Sequence, residues 1–325
     1  MRPERPSEAY RRVSQSCDIF RRPFSAHHKT DRQSTQEGLI VTVSSPATVK
    51  VLYVDEFPRG MSKYETVIHS VDNGIHKISL NRPKVLNAIN TKMLEELGEI
   101  LTQIRNDDSA RVVIVKGEGG NFCSGADLKE GLERSKSNVR RELNINYIMT
   151  GWEVFERLET LQVPTIAQIS GYCLGGGAEM MLRCDIKLAS DDSKFGFPEI
   201  RSGVFPAFGG TQLLPRYVGL GKAKMLILTG EILDAKFALS IGLVDFVIPA
   251  SEIEDRVGEL ALKLRERVPI AFRYAKELIY QSQETPRHAR AAVEVLSAFK
   301  NMGSADIIEG FRAFGENRKP NFQGR

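Results

Sequence analysis

The sequence predicts an α/β domain with much parallel strand pairing, followed by a purely helical module. Three observations predict it. Strand-length apolar stretches alternate with segments of helical periodicity from Tyr64 to Pro249. Two of those strands run into helices through turns crowded with glycine, at 117–125 and at 175–177. Beyond Pro249 only helical periodicity continues.

The chain has 325 residues, enough for a well-buried core in one large domain or in one domain with a smaller element. Residues 1–60 hold ten Lys and Arg against seven Asp and Glu, whereas the remainder holds 35 against 34. A body this close to neutral argues against a nucleic-acid-binding role, which needs a basic surplus. No apolar run reaches the roughly 18–20 residues that span a bilayer. The four cysteines lack C-x-x-C spacing and sit in apolar or glycine-rich stretches, which reads as buried free thiols in a reducing compartment.

Residues 1–61 are expected to be a disordered extension, because the stretch up to Gly38 is polar, rich in Arg and Ser, and without periodicity. Three readings stay open for it: a misplaced start, with Met61 opening the domain; a mitochondrial transit peptide, which Glu4, Glu8, Asp18, Asp31 and Glu37 oppose; or a genuine tail. The first places the protein in the cytoplasm and the second in the mitochondrial matrix.

The core is expected over 62–251. "YETVIHSVD" and "IHKISL" read as a hairpin turning at Asp72-Asn73-Gly74. "TKMLEELGEILTQIRND" has one apolar helix face (Met93, Leu94, Leu97, Ile100, Leu101, Ile104), capped by Asn90 or Thr91. "RVVIVKG", "VPTIAQISG" and "DIKLAS" read as further strands, with helices around 145–161, 177–183 and 209–218, while 130–150 looks charged and irregular. The module over 252–325 reads as helices at 252–267, 269–283, 286–301 and 304–314, punctuated by Pro269, Pro286 and Gly303, with Ser304 as an N-cap. Apolar faces on such a module suit packing against another subunit.

The chemistry gathers at glycines and acids. Gly175-Gly176-Gly177 follow a strand and open a helix, where free N–H groups and the macrodipole favour negative charge. A Walker loop would need a following Lys, and a dinucleotide fingerprint a different glycine spacing. Tight strand–helix packing explains the run equally well. "GEGGNFCSGADLKE" makes a second such turn, and two turns can each give one N–H to a single oxygen. Glu179 lies on the first helical turn and Glu199 in the Gly- and Pro-rich "FGFPEIRSGVFPAFGGTQ". Each alone has a plain structural reading, dipole compensation for one and solvent exposure for the other. Together they resemble an acid–base pair bordering one site. The five histidines show no clustering with acids or cysteines of the kind a metal site needs.

These stretches, with "LNRPKVLNAIN", "ISGYCLGGGAEMMLRCDIKLAS", "LTGEILDAKFALSIGLVDFVIP" and the closing "EGFRAFGENRKPNFQGR", resemble the crotonase superfamily, and within it enoyl-CoA hydratases, over about 62–325. The resemblance implies a crotonase-like spiral of ββα units whose C-terminal helices build homotrimers or homohexamers. It implies a lyase of lipid metabolism that adds water reversibly to a 2-enoyl-CoA and needs no cofactor, coenzyme A being part of the substrate. By motif position, the oxyanion donors are the N–H groups of Ala126 and Gly176, and the catalytic pair is Glu179 and Glu199. Coenzyme A contacts fall on Lys84, Ser124, Ala126, Asp127, Leu128, Lys129 and Gly176, with Arg318 and Lys319 near the phosphates, although Asn317 stands where relatives commonly carry Lys. Phe205 and Phe208 flank Pro206 where relatives often have smaller residues, as acyl-pocket or as packing groups. The competing readings are an enoyl-CoA isomerase, another crotonase-type lyase or hydrolase, and an RNA-binding homologue.

Overall fold

The structure is a computed structural model that describes residues 38–45, 48–54 and 63–324. Residues 1–61 form one unit and 62–325 a second. In the first, β1 (Gly38–Ser45) pairs antiparallel with β2 (Thr48–Val54), a ladder the reading of 1–61 as an unstructured extension omits. Both strands are rich in Val, Ile and Thr, which suits a pleated ribbon. The rest of that extension, Cys17 and Met61 included, lies outside the described residues.

The second unit opens with the expected hairpin, β3 (Val67–Asp72) and β4 (Ile75–Leu80). Asn73 and Gly74 both have positive φ, 49° and 79°, which is the turn that matches strand twist in a two-residue loop. Helix α1 (Thr91–Arg105) follows, with the Asn90 side chain accepting from Met93 N–H as its N-cap. Strands β5 (Val112–Gly117), β6 (Thr165–Ile169), β8 (Ile186–Ser190) and β11 (Phe246–Ile248) complete a six-stranded sheet of order β11-β8-β6-β5-β4-β3, parallel except at the hairpin. The short strands β7 (Tyr172–Leu174), β9 (Lys194–Gly196) and β10 (Ile232–Asp234) form a second sheet.

The pattern that builds the site is a staircase. Each long strand is followed by a turn and a short second run. Those runs pair step to step: Ile89 with Ala126, Cys123 with Cys173, and Cys173 with Phe195. Three- and two-residue contacts leave little periodicity to read, so these short strands escape sequence patterning. This is the ββα spiral, with α4 (Gly176–Leu182) after β7 and α5 (Gly210–Thr229) after β9.

Two corrections concern helices. The segment 130–150 is not irregular: it belongs to α2 (Leu128–Lys136), capped by the Asp127 carboxylate, and to α3 (Arg140–Glu159), which begins before the helix expected around 145–161. In α2 the inner face is itself charged, Glu130 and Arg134 pairing beside Tyr147 while Leu128 and Leu132 are exposed, whereas Val154, Phe155 and Leu158 of α3 enter the core. Helix α5 runs past the expected 218, turning through a kink at Gly219, where φ is 76°.

Alternation along β5 explains the layers. Val113 and Val115 face one core, shared with Leu97 and Ile100 of α1, Phe155 of α3, Met181 of α4 and Leu214 of α5. Val112 and Ile114 face the other, which is closed by Ile253, Val257 and Ala261 of α7 (Ile253–Arg265), while α6 (Ala235–Ser240) packs on the first core. Helix α7 therefore belongs to the sheet, although the sequence groups it with the helical module. Beyond it lie α8 (Pro269–Gln281), α9 (Arg290–Met302) and α10 (Ala305–Gly315), the last N-capped by Ser304 as expected. No residue of α8 or α9 is buried, and Val295, Leu296, Phe299, Met302, Phe311 and Phe314 are exposed.

Candidate active site

Successive steps of the staircase end in successive turns, so segments far apart in sequence meet at one edge. Leu174 N–H donates to Cys123 carbonyl and Gly175 N–H to Gly196 carbonyl, each at 2.9 Å. The first turn (Gly125-Ala126) is thereby seated against the second (Gly175-Gly176), and the second against the turn after β9 that carries Glu199.

The three glycines have separable reasons. Gly175 has φ 51° and ψ −126°, a conformation side-chain-bearing residues avoid, and a Cβ there would stand 3.2 Å from Glu199 Oε1. Gly177 faces backbone: a Cβ would lie 2.5 Å from Cys123 carbonyl oxygen, so close packing alone accounts for it. At Gly176 a Cβ would meet only Ile89 Cδ1 at 3.2 Å and the Phe208 ring at 3.3 Å. Close packing therefore accounts for Gly177, whereas at Gly176 the neighbours would need only small shifts to admit a Cβ.

Gly176 is the first residue of α4, so its N–H has no intrahelical acceptor. Ala126 is exposed, and among the described residues its N–H carries no hydrogen bond, while its neighbours are pinned: Ile89 N–H donates to Gly125 carbonyl and Asp127 N–H to Ile89 carbonyl, 2.8 Å each. A Cβ on Gly125 would lie 3.3 Å from Gly176 nitrogen. The structure thus brings two unpaired N–H donors together on neighbouring turns.

Glu179 sits one turn into α4 and is 2% exposed. Its Oε1 accepts from Phe208 N–H and Gly210 N–H, both at 2.8 Å. Burial pushes its carboxyl up to about 8; the Gly210 and Phe208 N–H groups and Arg183 oppose that rise, and the nearby Glu199 charge adds to it. Glu199 lies in a helical turn over Pro198–Ser202, half-buried, with neither carboxylate oxygen hydrogen-bonded. Burial pushes it up to about 7. Two carboxyls poised near neutrality beside two free N–H donors can exchange protons with a substrate whose oxygen becomes negative.

The remaining predicted residues divide. Lys84, Leu128 and Lys129 are exposed around the Ala126 turn, and Ser124 Oγ donates to Val85 carbonyl at 3.4 Å. Asp127 has a framework role: burial opposes its charge, but Arg82 at 2.8 Å and the N–H groups of Lys129 and Glu130 hold its carboxyl below the usual range. Arg318 is tied to Glu309 and Glu316, and Lys319 stands 4.0 Å from Glu266, so neither contacts the Ala126 turn within this chain. Phe208 is buried against Tyr147, Phe155 and Gly176, whereas Phe205 is exposed.

Sequence reasoning missed Arg183, Glu159 and Trp152, which gather behind Glu179. The i, i+4 spacing of Glu179 and Arg183 was the available signal. Two histidines of the β3–β4 hairpin do meet each other and one acid: His69 Nε2 lies 3.1 Å from His76 Nδ1, and His76 Nε2 3.1 Å from Asp107. β-Pairing across the hairpin places the two rings side by side. They form a chain rather than a convergent set, each His76 nitrogen being used by a neighbour, and no group of three metal-ligating side chains converges among the described residues. Cys123, Cys173 and Cys184 are buried free thiols, as expected.

The spiral of strand–strand–helix steps is the crotonase fold, and the comparisons show the family. The chain belongs to the enoyl-CoA hydratase/isomerase family, which it matches over residues 70–325. It is 38% identical over 278 residues to "Probable enoyl-CoA hydratase 2, mitochondrial" of Arabidopsis thaliana, covering 85% of this chain and 90% of that one. It is 37% identical over 254 residues to a short-chain-enoyl-CoA hydratase of Clostridium acetobutylicum, covering 78% and 95%. The crystal structure of an enoyl-CoA hydratase from Bacillus anthracis superposes with a TM-score of 0.76 at 38% identity, covering 80% of this chain and all of that one.

Proposed function

We propose that this protein is an enoyl-CoA hydratase in which Glu179 and Glu199 jointly handle one water and one proton. The observation that carries the reading is the pair itself: two raised carboxyls, one anchored and one without hydrogen-bond partners, beside two unpaired N–H groups. An isomerase moves one proton between carbons and calls for one such acid. Addition of water calls for two.

In the hydration direction the thioester oxygen accepts from Ala126 and Gly176 N–H. Ionised Glu179 takes a proton from water as its oxygen bonds to C3. The C2–C3 π electrons move onto the thioester as an enolate, which the two N–H groups stabilise where charge develops. Protonated Glu199 then delivers its proton to C2. The sum is one water added, with the pair's single proton moved from Glu199 to Glu179, and the reverse sequence expels water. These steps call for neither a metal nor a redox group, and coenzyme A enters as part of the substrate.

Lys84, Ser124, Leu128 and Lys129 would meet the coenzyme beside the first turn, with Arg318 and Lys319 reaching its phosphates only by exchanging their carboxylate partners. The exposed apolar side chains of α9 and α10 support a homotrimer or homohexamer. No helix among the described residues is long and apolar enough to cross a membrane. The proposed compartment is the cytoplasm. The mitochondrial matrix is the alternative, supported by the name of the Arabidopsis relative.

The test is a panel of 2-enoyl-CoA thioesters, from short to long chains, followed by loss of enoyl absorbance. Glu199→Gln and Glu179→Gln should each lower kcat by about 10²–10⁴. Wild-type rates in both variants on every thioester would overturn the assignment. Conversion of 3-enoyl to 2-enoyl thioesters without hydration would establish an isomerase instead.

A further inference from the structure

Glu179 and Arg183 stand one helical turn apart, on α4 and at its C-cap, and both grip the loop that enters α5. Glu179 Oε1 accepts from Phe208 and Gly210 N–H, and Arg183 Nη2 donates to Phe208 carbonyl at 3.3 Å. The Phe208 residue is therefore held at both its N–H and its C=O by two side chains of one helix. Gly209, between the two N–H donors, has φ 120°, and a Cβ there would lie 2.5 Å from Arg183 Nη2. The guanidinium fits against that bare Cα, so arginine and loop conformation are matched.

Arg183 is itself immobilised. It is 4% exposed, its Nη1 is ion-paired with Glu159 at the end of α3, and its guanidinium carbon lies 4.8 Å from the Trp152 ring centre. A buried Arg–Glu pair is seldom a net stabiliser compared with apolar side chains of equal volume. Stability alone is thus a weak reason for placing this pair behind a carboxylate that must change charge.

We propose that Arg183 is a positioning residue for hydration: it fixes the Phe208–Gly210 loop that aims Glu179, and its charge, offset by Glu159, sets how readily Glu179 takes a proton. The charged groups facing Glu179 are Glu199 on the turn after β9, Arg183 on its own helix and, behind Arg183, Glu159 on α3. The kinetic part rests on the hydratase reading; the titration part does not.

The signs give the test its discrimination. Removing the cation in Arg183→Met should make Glu179 harder to ionise, whereas Glu159→Gln unmasks the cation and should make it easier. The acid limb of the kcat/KM profile, which reports ionisation of the coupled Glu179–Glu199 pair, should move up by about half a pH unit in the first variant and down by a similar amount in the second. Arg183→Met should also lower kcat by about 10–10²-fold through the loosened loop, and Arg183→Lys should restore the limb more than the rate. Because Arg183→Met leaves Glu159 buried without its partner, the double variant Arg183→Met/Glu159→Gln is made alongside. Its limb should lie above that of Glu159→Gln.

Difference infrared spectroscopy of the protonated carboxyl, with Glu179→Gln as the blank, reads the same titration in wild type and each variant without turnover. Opposite displacements of the Glu179 titration support the proposal even if no thioester is hydrated, and that outcome would sink only the hydratase reading. Displacements in the same direction, or none, would show that Arg183 merely fills and braces the interior.

Discussion

Glu179→Gln should make the folded protein more resistant to unfolding at alkaline pH while changing it little at acid pH. The wild-type carboxyl titrates at about 8 in the fold, against 4.5 as its ordinary value, chiefly because it is buried. Between those values the native state holds a proton that the unfolded chain has released. Stability is therefore fullest below about 4.5, declines as pH rises through the interval, and levels off above about 8, where both states are ionised. The interval converts to a ceiling of about 5 kcal/mol, and relaxation around the charge brings the working figure to a few kcal/mol. Glutamine keeps a carbonyl oxygen for the Phe208 and Gly210 N–H groups but never ionises. Urea unfolding at pH 5 and pH 9, at one protein concentration, gives the free energies by linear extrapolation. Groups such as Glu254, whose carboxyl is drawn down to about 2 by Gln168 and by Lys77 and Lys116 against its own burial, act in both proteins and cancel. The advantage of the variant should grow by a few kcal/mol between the two pH values. An advantage that stays constant would mean that Glu179 ionises as it does in water, and the argument from burial would fall.

The other expectations separate packing from chemistry. Gly176→Pro removes one N–H and should lower kcat by about 10²–10³, whereas Gly176→Ala, needing only small adjustments at Ile89 and Phe208, should keep most of it; equal losses in rate assays would place the role of Gly176 in packing. Gly177→Ala drives a methyl against Cys123 carbonyl and should destabilise by about 1–3 kcal/mol in denaturant melts, with unchanged stability overturning the close-approach argument. Deleting 286–325 removes α9 and α10 with their exposed Phe299, Phe311 and Phe314, so light scattering should report a smaller assembly; an unaltered subunit number would clear that face of a role in association.

What was legible in the sequence follows from the length and locality of each signal. The hairpin at Asn73-Gly74, the face of α1 and the strand β5 rest on period, composition and turn chemistry within a dozen residues, and all three are read directly. Helix α2 and the start of α3 are obscured because few apolar residues mark an inner face there: Glu130 and Arg134 pack inward beside Tyr147 while Leu128 and Leu132 are exposed. The short steps β7, β9 and β10 hold three residues each, too few for any period. Their order is nonetheless what makes the site: β7 and β9, with the single bridges at Ile89–Ala126 and Cys123–Cys173, bring residues 126, 176 and 199 to one edge. Glu179 and Glu199 could be singled out as acids near glycine turns, but the N–H groups of Phe208 and Gly210 that anchor Glu179 approach from another segment. The role of α7 was misjudged for a related reason. Its periodicity says helix without saying which surface it covers, and only the outer face of β5, β6 and β8 supplies the partner.

The two carboxyls differ less than a fixed acid and a fixed base would. Glu179 has one oxygen tied by two N–H groups, which fixes its plane and leaves Oε2 without a hydrogen-bond partner among the described residues. Glu199 has neither oxygen tied, and its affinity for a proton comes from burial alone. One is raised by deep burial and restrained by its donors, the other is raised less by shallower burial, and the two arrive at about 8 and about 7. Groups so close in affinity and within each other's field titrate as a pair. One proton then serves both, with neither position strongly preferred. In the proposed hydration that proton starts on Glu199 and ends on Glu179, and the proposed dehydration takes it back. A pair tuned far apart would favour one direction of proton delivery and slow the other, whereas this near match suits a proposed site that runs both ways.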